Sequence, residues 1–221
     1  TWDYSLAPGD TNVRKLWENG AHQYLCPGVQ GWNQTIHLLD IAYENIKKMA
    51  SFAHQFDGEG LLTTDWGDYG HLQHPELALV GIIYGAGFGG NSKIPEREEI
   101  NGDISVIEYG DRSATLIEII SEMSNQAVMH WGELVQFSET YRYQIAGKDM
   151  DTFWKGYLPR IETSLPHIVE CNETIRNDMA KVAALLVQIE DDRREGIAPV
   201  LHMAEGQILI NTILRVLDRE Y

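Results

Sequence analysis

The sequence predicts an α/β region followed by an all-α region, and three features carry that expectation. The first ninety residues alternate short apolar runs with helical patterns, as parallel βα units do. Residues 89–110 are rich in glycine and charge, as a boundary between regions is. Beyond them, long patterns of helical period follow one another with no strand signal between, so the C-terminal half reads as a helix bundle. The expected division is 1–95 and 96–221.

Thr1-Trp2-Asp3-Tyr4 reads as the end of a buried strand whose earlier part lies upstream. Residues 10–19 read as a helix: Asp10 or Thr11 caps it, Val13, Leu16 and Trp17 share a face, and Gly20 ends it. A strand is expected over 21–27, broken by Pro27-Gly28 and followed by a loop through Gly31, Trp32 and Asn33. Residues 38–56 place Leu38, Ile41, Ala42, Ile46, Met49, Ala50 and Ala53 at three- and four-residue steps, the stripe of a helix resting on a sheet. A second strand is expected over 59–65, opening into the loop 65–71, and 77–88 reads as an apolar helix. The C-terminal helices are expected over 112–145, from 151 to 188 or 191, and over 199–217, with Pro159 and Pro166 breaking or kinking the second and short connections near Gly147 and Gly196.

The 221 residues suffice for one large or two modest domains, and 43% hydrophobic with 23% charged residues is the balance of a folded chain. A net charge of −16 excludes nucleic acid as an expected partner, because affinity for phosphate backbones comes from Lys and Arg. An uncharged ligand such as a sugar fits that balance better. Cys26 and Cys171 stand far apart and match no zinc, redox or disulfide pattern, which fits a reduced, cytoplasmic setting. No uninterrupted apolar run is long enough to predict a membrane span, and no secretory leader pattern opens the chain.

In parallel α/β architectures ligand groups gather where the strands end. Trp2-Asp3-Tyr4, Gly31-Trp32-Asn33 and Asp65-Trp66-Gly67-Asp68 each place an aromatic beside a polar group at such an end. An aromatic face stacks on the CH face of a pyranose and a neighbouring carboxylate accepts hydroxyl hydrogen bonds, so the combination describes a saccharide pocket. His71 and His74 with Asp65 and Asp68 match no metal-ligand spacing, and His74-Pro75 reads as a helix entry. His130, His167 and His202 fall in helical patterns as core-edge or surface residues, and no nucleophile elbow, phosphate loop or Cys-His arrangement occurs. Neither a metal nor a cofactor is expected.

The run GEGLLTTDWGDYGHLQHPELALVGIIYGAGFG, preceded by YLCPGVQGWN and by WDYS, resembles the last three strand ends of the catalytic barrel in glycoside hydrolase family 20, in the branch of exo-β-N-acetylglucosaminidases found in Firmicutes. The resemblance covers about Thr1 to Asn91 and departs from the family at Gly89-Gly90-Asn91, where members carry a Trp before the Asn. It implies the C-terminal portion of a (β/α)8 TIM barrel, incomplete in this chain, followed by a helical region. It gives Trp66 the role of a wall of the acetamido pocket and Asp68 that of binding sugar hydroxyls. Trp32 and Trp2 become further walls, with Asp3 or Tyr4 near the acetamido group.

The family's reaction uses the 2-acetamido oxygen as nucleophile, an Asp to orient it and the adjacent Glu as acid. No Asp-Glu pair is present here; Glu98-Glu99 and Asp191-Asp192 read as solvated surface, so no catalytic residue is assigned. The expected partners are glycans ending in N-acetylglucosamine or N-acetylgalactosamine, together with another copy or the rest of the barrel covering the open sheet edge. The alternative is a non-catalytic helical module with a vestigial half-barrel that binds sugar or protein.

Overall fold

The alternating first part folds around a small parallel sheet in the computed structural model, which describes residues 1–91, 93–143 and 162–220. Helix α1 (Thr11–Glu18) ends at Gly20, whose φ of +73° is the left-handed value that glycine adopts without strain. Asp10 does not cap the helix with its side chain; its carboxylate pairs with Arg14 instead. Strands β1 (Tyr24–Leu25) and β2 (Gly60–Leu61) pair in parallel, Tyr24 with Gly60 and Leu25 with Leu61. Parallel bridges from Trp2 to Cys26 and from Gly28 to Thr64 extend the pairing, so three segments lie side by side in chain order.

The strands expected over 21–27 and 59–65 therefore shrink to two regular residues each. Proline supplies no N–H at Pro27 for the ladder with β2, and on the opposite side the Gly28 N–H goes to the Asn45 side chain instead of the Trp2 segment, so regular pairing gives way to isolated bridges. Leu25 and Leu61 face the helices, where they meet Val13, Met49, Phe52 and Phe56. Trp2 and Leu62 stand 70% and 58% exposed. Helices thus cover one face of the sheet, although parallel sheets ordinarily have both faces covered.

Helix α2 (Leu39–Gln55) buries Ala42, Ile46, Met49 and Ala50 of the expected stripe, leaves Ile41 and Ala53 half-buried, and buries Leu39, Tyr43, Asn45 and Phe52 beside them; Leu38 precedes the helix. Helix α3 (Glu76–Gly90) packs on α2 through Tyr84 and Phe88, whose rings meet Tyr43 edge-on at 5.6 and 5.4 Å. It crosses close over the sheet because Gly81 and Gly85 have no side chain: a Cβ at Gly81 would lie 2.8 Å from Val29 Cβ, and one at Gly85 2.1 Å from Thr63 Oγ1.

Half of the stretch read as a linker is helix α4 (Arg97–Ile107), which buries Ile100, Asn101, Ile104 and Ser105, turns Glu98, Glu99 and Asp103 to solvent and pairs Arg97 with Asp40 and Glu118. The single helix expected over 112–145 divides into α5 (Leu116–Ser124) and α6 (Trp131–Tyr143). The connection between them is held by side chains: Asn125 donates to Asp40, and the Val128 N–H donates to Asn211. Helix α7 (Ile168–Leu186) follows a 3-10 turn, Leu165–His167, that contains Pro166, as the expected break requires. The short connection expected near Gly196 comes two residues later, at Ala198-Pro199, between α8 (Asp191–Ile197) and α9 (Val200–Glu220). The expected connection at Gly147, the break at Pro159 and the helical pattern over 151–161 lie outside the described residues.

The main core runs from Ile36 on the sheet side through α2, α3, α4, α5, α7 and α8 to Ala204 on α9, crossing the position where a boundary was expected. At its edge the Asp40 carboxylate accepts from Ser121 Oγ, Asn125 Nδ2 and Arg97, which together outweigh burial and hold it below the usual carboxylate range. The segment Asp191–Val216 is long and apolar enough to cross a membrane by composition. Here it packs as a core segment, with Ile197, Val200, Ala204, Ile210 and Leu214 buried.

Candidate functional site

The cluster begins with the way parallel strands deliver their loops. Trp2 to Tyr4, Gly28 to Asn33 and Thr64 to His71 all leave the sheet at the same end. Tyr4 joins the other two loops: its ring meets Trp32 edge-on at 4.9 Å, and its hydroxyl accepts the Trp66 indole N–H at 2.8 Å. Gly28 makes room, since a Cβ there would lie 2.6 Å from the Trp32 ring and 3.0 Å from that of Tyr4.

Two buried amides fix Tyr4. Gln30, held at φ +61°, donates to the Tyr4 carbonyl at 2.8 Å. Asn45 on α2 donates to the carbonyls of Asp3 and Ser5, each at 2.8 Å, and accepts the Gly28 N–H at 3.2 Å. The Asp3 carboxylate turns into its own loop, accepting from the Ser5 N–H at 2.9 Å and Ser5 Oγ at 2.7 Å. Burial would raise its pKa, but these bonds and one from the Gly9 N–H win and hold it low.

The loop after β2 folds back on itself. Tyr69, Gly70 and His71 have φ of +55°, +97° and +50°, and the His71 ring lies against Gly67, where a Cβ would be 2.4 Å from Nδ1. His71 Nε2 stands 3.6 Å from the Asp65 carboxylate; burial raises the Asp65 pKa and the nearby imidazole opposes it. Asp68 opens the 3-10 turn Asp68–Gly70, exposed, and its carboxylate has no hydrogen bond or ion pair among the described residues. Beneath the loops His37 is fully buried, and neither ring nitrogen has a hydrogen-bond partner among the described residues. Burial, aided by His71, drives its pKa down to about 3, so it is a neutral imidazole at ordinary pH.

Of the residues singled out from sequence, Tyr4, Trp32 and Trp66 come together; Asp3 and Asp68 lie on the same loops without ring or hydrogen-bond contact to the three. Trp2 is bridged to Cys26 on the uncovered part of the sheet and makes no ring contact with the three among the described residues. Sequence reasoning missed Gln30, Asn45 and His37. The last two carried a signal, each being a polar residue at an apolar position: Asn45 beside Ala42 and Ile46 in the helix stripe, His37 between Ile36 and Leu38.

Among the described residues no group of three or more His, Cys, Asp or Glu is arranged to hold a metal ion. Glu98 and Glu99 lie in the exposed first turn of α4, and Asp191 and Asp192 in that of α8, where acids favour the positive end of the helix. A separate hollow is lined by Gly110, Asp111, Arg112, Leu185, Gln188 and Ile189. Its acid is already engaged, since Asp111 accepts from the N–H groups of Ser113, Thr115 and Leu116 at the start of α5.

The strand-end cluster presents aromatic surface, with Trp66 48% exposed beside one unpaired carboxylate on its loop. An exposed indole face can stack on a ring and a free carboxylate can accept hydroxyl hydrogen bonds; the acid-base pair described on these loops is Asp65 with His71, at 3.6 Å. No family model, curated protein or solved structure matches the chain.

Proposed function

We propose that this chain carries the sugar-recognition end of a β-N-acetylhexosaminidase: the last strands of a (β/α)8 barrel, with Trp66, Trp32 and Tyr4 forming a pocket for a terminal N-acetylhexosamine. The observation that carries the reading is the joining of Tyr4, Trp32 and Trp66 at one end of three parallel segments. Trp66 stacks on the sugar, Asp68 accepts its hydroxyl hydrogen bonds, and Tyr4 and Asp3 lie toward the acetamido group.

The reaction proceeds by attack of the acetamido oxygen on the anomeric carbon, with one carboxylate orienting the amide and a carboxylic acid protonating the leaving oxygen. No Asp-Glu dipeptide occurs in the chain, so both groups come from barrel strands outside these residues. The uncovered sheet face bearing Trp2, Tyr24 and Leu62 supports burial of that face by further strands joined at the sheet edges. The core shared by sheet and helices favours a second reading, a self-contained sugar- or protein-binding module that turns nothing over.

Titration of the chain with N-acetylglucosamine, followed by indole fluorescence, tests the pocket, with glucose as the control lacking the acetamido group. Trp66→Ala is expected to weaken binding about tenfold, from loss of stacking and apolar area. The chain alone should not release the aglycone from an aryl β-N-acetylglucosaminide, whereas the full-length protein should. Equal affinity for glucose and N-acetylglucosamine, or turnover by the 221-residue chain, sinks the proposal.

A further inference from the structure

Among the described residues, the start of α6 reaches two of the strand-end loops at once. There the Trp131 indole N–H donates to the Tyr69 carbonyl at 2.9 Å, on the loop that carries Trp66. The next residue, Gly132, donates its N–H to the Asn33 carbonyl at 3.1 Å, on the loop that carries Trp32. Both acceptors belong to residues in the left-handed region, Tyr69 at φ +55° and Asn33 at φ +64°, which the surrounding structure must hold in place. Gly132 fits closely, because a Cβ there would lie 2.6 Å from Asn33 Cβ and 2.7 Å from its Cγ.

A second tie lies deeper. Buried Gln207 on α9 accepts from Thr35 Oγ1 at 2.6 Å and donates to the Met129 carbonyl at 2.9 Å, linking the Trp32 loop to the residues that lead into α6. Asn211 accepts from Gln207 at 3.0 Å and donates to Asn172 of α7 at 3.0 Å, which anchors this amide chain in the helix bundle.

We infer that the start of α6 is a clamp that sets the spacing between the Trp32 and Trp66 loops, with Trp131 and Gly132 as positioning residues for the saccharide-binding rings. The ligand named rests on the proposed sugar reading; the clamp itself is measurable without any ligand. The helical region on this account is a working part of the binding site. Its role is to keep two loops, each strained at one residue, at the separation that one sugar ring requires.

Trp131→Phe keeps an aromatic ring against the cluster of Val128, Met129, Ile168, Ile210 and Leu214 but removes the N–H together with part of the indole's bulk. Gly132→Ala pushes on Asn33 instead, so the two variants disturb the clamp from opposite sides. Hydrogen exchange followed by mass spectrometry should show faster exchange over 65–71 in the first and over 31–35 in the second, with exchange in the buried part of α2 unchanged. Affinity for N-acetylglucosamine should fall about fivefold in Trp131→Phe, the worth of one hydrogen bond. Unchanged exchange at both loops in both variants overturns the clamp, whatever the sugar does. Faster exchange with unchanged affinity, while Trp66→Ala still weakens binding, overturns the positioning role and leaves the pocket standing. Clamp-dependent exchange in a chain that binds no N-acetylglucosamine overturns the pocket reading and the ligand named here, but not the clamp.

Discussion

Replacing Asn45 by alanine tests the frame beneath the candidate site, and its cost follows from the bonds that the side chain makes. Asn45 is fully buried on α2, accepts the Gly28 N–H and donates to the carbonyls of Asp3 and Ser5. Alanine leaves the buried Gly28 N–H without a partner and frees the two half-buried carbonyls. Three hydrogen bonds at about 1 kcal/mol each come to about 3 kcal/mol of lost stability, more if the Gly28 N–H finds no water. In urea unfolding with a slope of about 2 kcal/mol per molar, the midpoint should fall by about 1.5 M. Asn45→Asp keeps the acceptor for Gly28 but points an oxygen at two carbonyls. Its folded-state pKa is therefore raised above the unfolded value, and stability should recover as pH falls and the acid protonates. A loss under about 1 kcal/mol in Asn45→Ala would show that water replaces these bonds without penalty and would refute the claim that Asn45 frames the Tyr4 loop.

The buried neutral His37 makes stability pH-dependent: with a folded pKa of about 3 against about 6.5 when unfolded, the unfolded chain binds more protons between those values. Stability is complete above about pH 6.5 and falls toward pH 3, by about 2 kcal/mol at pH 5; His37→Leu should remove that slope, and an unchanged slope in urea titrations at pH 8 and pH 5 rules the role out. Gly85→Ala should cost about 1–3 kcal/mol, because the new Cβ would lie 2.1 Å from Thr63 Oγ1, and Thr63→Ala in the same chain should restore part of the loss in calorimetry. In the full-length protein Asp68→Ala should lower kcat/KM for an aryl β-N-acetylglucosaminide by the equivalent of about 2–4 kcal/mol; an unaltered value would remove Asp68 from the pocket.

Residue order by itself determined most of the local structure. The repeat through Ala42, Ile46, Met49 and Ala50 made α2 legible, and the apolar run around Leu77 to Phe88 did the same for α3, because a helix announces its buried face by its period, although Leu38 and Ala53, read as ends of the stripe, are only half-buried. Parallel pairing of the three strand segments also followed from the alternation of apolar runs and helical patterns, and so did the placing of three aromatic strand ends at one end of the sheet. The limits of the strands did not follow. Pro27 marked a break in the chain, but the capture of the Gly28 N–H by Asn45, seventeen residues beyond Gly28, ends the pairing with the Trp2 segment and is not legible from the order of residues. The charged face of α4 hid its buried Ile100 and Ile104, and composition alone made that helix look like a linker.

Tertiary structure alone decided what the site is made of. Whether an acid faces a ligand depends on which donors reach it first: Asp3 is consumed by Ser5, while Asp68, with the same chemistry, meets no donor among the described residues. The clamp at Trp131 and Gly132 joins atoms from segments some sixty and a hundred residues apart, and neither carries a periodic or compositional signal for that contact. Periodicity reports which side of an element is buried. Partners for individual polar atoms are chosen only when the packed elements bring them within hydrogen-bonding distance, so Tyr4 joining Trp32 to Trp66, and α6 holding both loops, belong to the fold and not to the order of the residues.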